Sequence, residues 1–124
     1  MPGGRQKHGE TLEQALMREC LEEIGTQIKI GQLLFVRECI GRNHIDNCVP
    51  EDDWFKNLHG IDFIFACQIP NEYTAQNGIS PDRGQEQVEW LPVANLDKYR
   101  LFPSPLKQLL MNQISSEVYL GDVH

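Results

Sequence analysis

The stretch Gly4-Arg5-Gln6-Lys7-His8-Gly9-Glu10-Thr11-Leu12-Glu13-Gln14-Ala15-Leu16-Met17-Arg18-Glu19-Cys20-Leu21-Glu22-Glu23-Ile24-Gly25-Thr26 decides how this chain reads. Thr11 through Ile24 reads as a helix. Thr11 with Gln14 carries a capping-box signature at its start, and Gly25 follows the last helical residue, where a left-handed cap is favoured. Leu12, Leu16, Cys20 and Ile24 repeat every four residues and form an apolar arc able to pack on a sheet. Glu19, Glu22 and Glu23 stand at i, i+3 and i+4, so they share one face beside that arc. Carboxylates gathered so closely repel one another. Arg18 reaches Glu22 at i+4, but one arginine does not neutralise the group. An oxygen-rich cluster at the rim of a core suits Mg²⁺ or Mn²⁺.

Around this segment the chain is ordinary in pattern. Its first ten residues are loop-like. Residues 26–40 contain two apolar patches around Gly31 and read as strand, either continuous or broken at that glycine. Residues 41–60 are long, polar and mixed; a loop of that length in a compact domain is usually functional or mobile. Ile61 to Ile69 reads as a strand, residues 71–84 as a loop, and Gln87 to Leu91 as a short strand that carries Trp90 and ends at Pro92. Pro103 and Pro105 precede Leu106 to Met111, which fits a helix with proline in its first turn. The pattern leaves residues 111–124 unassigned. The order helix, strand, strand, strand, helix predicts an α/β (α+β) chain with a sheet between helices, in a single domain spanning residues 1–124.

Composition narrows the class. The chain has 124 residues, 40% of them hydrophobic and 23% charged, which is the balance of one soluble globular domain with a modest core. No stretch approaches the ~20 apolar residues of a membrane span. Met1 to His8 holds no apolar run and does not read as a secretory signal, so the expected location is the cytoplasm. The formal net charge of -7 argues against bulk nucleic acid and against an anionic membrane as partners. It leaves room for a phosphate substrate if metal ions bridge the two negative partners. The four cysteines, at 20, 39, 48 and 67, show neither a C-x-x-C pair nor zinc spacing. They are expected to be reduced thiols, with Cys20, Cys39 and Cys67 acting as small hydrophobes.

The segment from Gly4 to Thr26 resembles the signature of the Nudix hydrolases, G-x5-E-x7-R-E-U-x-E-E-x-G-U, where U is a bulky aliphatic residue. Gly4, Glu10, Arg18, Glu19, Glu22, Glu23 and Gly25 match every fixed position. Cys20 and Thr26 are the weak matches, at the two U positions. Pro2-Gly3 ahead of Gly4 fits the usual entry into the motif. So many fixed residues at fixed spacing make a specific signal.

The resemblance implies a Nudix-type α/β/α sandwich with a mixed sheet. It implies hydrolysis of a nucleoside diphosphate linked to another group, by water and with Mg²⁺ or Mn²⁺ as cofactor. It casts Glu22 and Glu23 as principal metal ligands, Glu19 as a ligand or the base on the attacking water, and the Gly3 carbonyl as a further ligand. Arg18 and Glu10 then hold the carboxylates and the entry loop in place. Many members use one more loop glutamate ahead of a Trp-containing strand; Glu86 is the first candidate, with Asp82 and Glu89 after it. Glu89 also reads as a solvent-facing strand residue, and Trp90 as core.

Beyond the signature the residues are less telling. Arg37 and Arg42 are candidates for substrate phosphates, although an exposed arginine is the safer reading. Trp54 and Phe55 read either as a base-stacking lid or as a hydrophobic anchor for the long loop, the anchor being preferred. His59 reads as a structural hydrogen-bonder. The chain begins at the Pro-Gly-Gly, where family members carry one or more earlier strands. The expectation is a short domain whose open sheet edge is filled by rearrangement or by a second copy in a homodimer, or a recorded sequence that has lost its start. Nucleoside triphosphates and nucleotide sugars both stay open as substrates. The alternative function is a Nudix-fold module that binds a nucleotide without cutting it.

Overall fold

The computed structural model describes residues 1–45, 53–112 and 118–124. Cys48 and the acidic stretch from Asp46 to Asp52 lie outside the described residues. The elements in order are α1 (Leu12–Ile24), β1 (Lys29–Ile40), α2 (Asp53–Lys56), β2 (His59–Gln68), α3 (Leu106–Asn112) and β3 (Tyr119–Asp122). Short 3-10 turns at Gly41–Asn43 and Val93–Lys98 complete the set.

α1 forms as its sequence dictates. The Thr11 side chain accepts from the Gln14 amide at 3.2 Å, and the Gln14 side chain accepts from the Thr11 amide at 2.8 Å, closing the capping box. Gly25 ends the helix at φ 69°, a left-handed conformation that glycine adopts at no steric cost. Ala15, Cys20 and Ile24 are buried on the inward arc.

The sheet has the order β2-β1-β3. β1 and β2 run antiparallel: Gly31, early in β1, lies against Ala66, and the Gly41 amide just past its end donates to the Leu58 carbonyl. β3 pairs with β1 in parallel, Val36 with Tyr119 and Glu38 with Asp122, with a bulge between the two pairs. The sheet is therefore mixed, as the sequence resemblance implies.

Contacts gather the described residues into two compact units, residues 1–32 with 65–90 and residues 33–64 with 91–124. In the first, Ala15, Cys20 and Ile24 form the buried apolar set; in the second, Phe35, Cys39, Phe55, Leu96 and Leu106 do. Among the described residues no helix is long and apolar enough to cross a membrane.

The structure settles one open point and departs from the sequence reading at three others. β1 is continuous through Gly31, because that glycine serves a close approach: a β-carbon there would stand 2.9 Å from the Ala66 carbonyl oxygen. Gln87 to Leu91 is not a strand, since β2 and β3 take the two places beside β1. Trp90 is consequently 63% exposed rather than core, meeting Tyr73 edge-on at 6.2 Å. Cys67 is exposed at the surface of β2, whereas Cys20 and Cys39 are buried thiols. The third strand comes instead from the end of the chain, where the pattern was silent.

Gly31→Val would force a branched side chain against the Ala66 carbonyl. We expect a loss of about 1–3 kcal/mol, the range for overpacking, read as a lower midpoint in urea unfolding followed by circular dichroism.

Candidate active site

The acidic face of α1 lies wholly within the first unit, and its geometry is organised by Arg18. The guanidinium donates from Nε to Glu10 Oε1 at 2.7 Å and from Nη2 to Glu10 Oε2 at 3.0 Å, a two-pronged pair. Nη1 donates to Glu19 Oε1 at 2.6 Å and to Glu22 Oε2 at 3.1 Å. Nη2 also donates to the Arg5 carbonyl at 3.1 Å, tying the entry loop to the helix. Glu10 itself accepts from the Lys7 amide at 2.9 Å, which closes the turn before the helix. The hydrogen bonds from Arg18, and next the one from Lys7, hold the Glu10 carboxyl down to about 2. Hydrogen bonds to Glu10 first, and next to Glu19, hold Arg18 above its ordinary range.

Glu23 is different. It is 5% exposed. Its Oε2 accepts from the Gly3 amide at 3.2 Å, while Oε1 is buried with no hydrogen-bond partner. Burial pushes its carboxyl up, and the negative charges of Asp82 and Glu19 push the same way; the Gly3 amide opposes them. Glu19 is also buried, at 9%, with its carboxylate so close to the Gly4 backbone that a β-carbon on residue 4 would overlap it.

The residues that could hold a divalent cation are the carboxylates of this face. A buried carboxylate oxygen with no partner is costly unless something positive meets it. Glu19, Glu22 and Glu23 supply hard oxygen donors of the kind Mg²⁺ and Mn²⁺ take. Among the described residues no three such side chains already close as a finished cage. Arg18 Nη1 bridges Glu19 and Glu22, and a cation on that face has to compete with it.

The last turn of α1 leaves carbonyls without helical partners, and one loop satisfies them. Ser80 donates its amide to the Glu22 carbonyl at 2.8 Å, and Gly78 its amide to the Glu23 carbonyl at 2.8 Å. Gln85 Nε2 adds a second bond to the Glu23 carbonyl at 2.8 Å, and the Tyr73 hydroxyl donates to the Ile24 carbonyl at 2.8 Å. Gly78 packs so tightly on the helix end that a β-carbon would overlap the Glu22 carbonyl. Sequence reasoning missed Tyr73, Gly78 and Gln85. Gly78 was the one hint, as a glycine in a polar loop; a tyrosine and a glutamine nearby carry no signal of their partners.

The other predicted residues fall as follows. Gly3 lies against Glu23. Asp82 acts electrostatically on Glu23 from the loop. Glu86 and Glu89 are exposed, and the Glu86 carbonyl accepts from Asn77 at 3.2 Å. Arg37, Arg42, Trp54 and Phe55 belong to the second unit. There the Arg37 guanidinium is held by Asp62 at 2.6 Å and by the Val123 carbonyl at 2.5 Å, and Arg42 is exposed in the turn after β1. Trp54 is 64% exposed, whereas Phe55 is buried and packs on the His124 ring at 5.1 Å. His59 bonds Glu38 at 3.1 Å and His44 bonds Asp122 at 2.7 Å.

A family model described as the NUDIX domain matches residues 1–112. The chain belongs to the Nudix hydrolase family. No curated protein and no solved structure matched it in the corresponding comparisons.

Two predictions follow from the charges. The folded state holds Glu23 above its ordinary carboxyl value, so its contribution to stability is complete at low pH and is lost as pH rises through the folded value. Glu23→Gln should therefore raise the thermal midpoint of the metal-free protein at neutral pH while abolishing any stabilisation by Mg²⁺. Glu10 has the opposite sign: its contribution is present above the ordinary value of 4.5 and is lost as pH falls through about 2. Arg18→Leu should flatten that acid limb and lower stability at neutral pH, seen by melting across a pH series.

Proposed function

We propose that this chain is a metal-dependent pyrophosphohydrolase that cuts the P–O–P linkage of a small nucleoside-diphosphate derivative. The observation that carries the reading is the buried, unpartnered Oε1 of Glu23 beside Glu19, with Glu22 on the same helix face. Glu22 and Glu23 are the principal ligands in this account, with the Gly3 carbonyl and Glu19 beside them. Bound there, Mg²⁺ or Mn²⁺ supplies charge neutralisation and Lewis acidity toward the phosphoryl oxygens.

The chain's own residues do the rest. Arg18, clasped by Glu10, holds Glu19 and the entry loop beside Glu22 and Glu23, so part of the face is already in place before reaction. Water attacks one phosphorus, a new P–O bond forms, and the bridging P–O bond breaks. A carboxylate of this face, Glu19 foremost, accepts the proton that the water loses. Glu86 is the candidate loop glutamate for a further oxygen. The net charge of -7 favours a bridging cation, because an acidic chain repels a polyanionic substrate.

The test is release of phosphate, pyrophosphate or a nucleotide from a panel of nucleoside triphosphates, nucleotide sugars, ADP-ribose and dinucleoside polyphosphates, with and without Mg²⁺ or Mn²⁺. Metal-dependent release by the unaltered chain, with kcat lowered about 10²–10³-fold in Glu23→Gln, is the expected result, the loss being that of one preorganised electrostatic group. Tight nucleotide binding with no turnover would assign the chain to the binding modules instead.

A further inference from the structure

Lys7 stands against the acidic face from the entry loop. Its main chain is fixed. The Lys7 amide donates to Glu10 Oε2 at 2.9 Å, and the Glu10 amide donates to the Lys7 carbonyl at 3.1 Å. Arg18 clasps the same Glu10 carboxylate. The side chain is held far less: it is 63% exposed, and its Nζ lies 3.9 Å from Glu22 Oε1. Glu22 thus meets one internal cation on each oxygen, Arg18 Nη1 on Oε2 at 3.1 Å and Lys7 Nζ on Oε1. The two cations are unlike. Arg18 is anchored by Glu10, Glu19 and the Arg5 carbonyl as well. The Lys7 ammonium pairs with Glu22 alone among the described residues. A long ion pair on an exposed stem is worth little and is given up easily.

We propose that Lys7 is a substrate-binding residue of this face: its ammonium leaves Glu22 when a divalent cation takes that carboxylate, and pairs instead with a phosphate of the pyrophosphate group. The inference deepens the hydrolase reading above and rests on it. Among the described residues, Lys7 and Arg18 are the lysine and arginine whose side chains ion-pair with Glu19 or Glu22. Arg18 is spent on carboxylates, which leaves Lys7 to meet an anion. The buried, unpartnered Oε1 of Glu23 marks the same face as a place for a ligand. A dication on Glu22 repels an ammonium at the same carboxylate. The fixed main chain then keeps the displaced ammonium at the mouth of the face, where a bound polyphosphate lies. An ammonium on a flexible stem binds phosphate as a point charge and needs no exact approach.

The proposal gives one substitution two effects of opposite sign. The first readout is Mn²⁺ binding to the whole chain, followed by loss of the free-ion electron paramagnetic resonance signal, with no substrate present. Lys7→Gln removes the competing charge, so Mn²⁺ should bind about two- to fivefold tighter, the worth of an exposed ion pair. The second readout is calorimetric titration with methylenediphosphonate, a P–C–P mimic of pyrophosphate that is not hydrolysed, at saturating Mn²⁺. There Lys7→Gln should bind about tenfold more weakly, the loss of one charged hydrogen bond. Lys7→Arg keeps the charge and should leave both constants near those of the unaltered chain. Lys29→Gln removes an equal charge from an exposed lysine at the start of β1 and should reproduce neither effect in size.

Mn²⁺ affinity in Lys7→Gln that is unchanged or weaker would overturn the proposal. So would methylenediphosphonate affinity within about twofold of the unaltered chain, shifts matched by Lys29→Gln, or no binding of the mimic by the unaltered chain. Failure of the unaltered chain to bind Mn²⁺ would instead sink the metal-dependent reading, and the inference with it. Failure to hydrolyse any nucleotide, with Mn²⁺ and the mimic both bound, would point to the binding-module reading and still leave the two shifts to decide the role of Lys7.

Discussion

A single guanidinium decides how the acidic face of this chain can exist. Three glutamates on adjoining positions of one helix repel one another and strain the helix that carries them. Arg18 meets that repulsion from inside the face, reaching Glu19 and Glu22 with one nitrogen and clasping Glu10 with two. Through the Arg5 carbonyl and the Glu10–Lys7 turn the same side chain also sets the path of the loop that enters α1. Gly3 and Gly4 are thereby delivered to the carboxylates of Glu23 and Glu19. The loop and the helix are one electrostatic object, which is why the signature spans both.

Arg18 stops short of Glu23, and that gap is functional in this account. A buried carboxylate with one oxygen unpartnered destabilises a fold. Proteins accept such costs mainly where a ligand or a reaction needs the group. The helix end shows how the strain is contained: the carbonyls of Glu22, Glu23 and Ile24 are each fixed by the loop of residues 73–85, so the backbone beneath the two glutamates is held although one side chain is not satisfied. Rigid backbone under a reactive side chain is the arrangement that preorganisation requires.

Much of this was legible from residue spacing. The capping box at Thr11, the left-handed cap at Gly25, the apolar arc and the shared face of Glu19, Glu22 and Glu23 follow from local periodicity, and all are local features. The strand expected at Gln87–Leu91 failed for a non-local reason: strand-like composition confers no place in a sheet, and the seat beside β1 went to Tyr119–Asp122. Trp90 lost its expected burial with it. Gly31 left the strand open to two readings, since a glycine that breaks a strand and one that admits a neighbouring strand look alike in sequence. The roles of Tyr73, Gly78 and Gln85 depend on distant partners, as with Tyr73 and Ile24 at a separation of 49 and Gln85 and Glu23 at 62. No period or motif encodes such a pairing.

The central claim is that the unpartnered oxygen of Glu23 faces a divalent cation. Crystals grown with Mn²⁺ and measured for anomalous scattering test it most directly. The account predicts an anomalous peak at bonding distance, about 2.0–2.3 Å for a small hard cation on oxygen, from Glu23 Oε1 and from a Glu22 carboxylate oxygen, with Arg18 drawn back from Glu22 and retained on Glu10. Strong Mn²⁺ peaks elsewhere on the chain, with Glu23 Oε1 still buried and unmet, would contradict it.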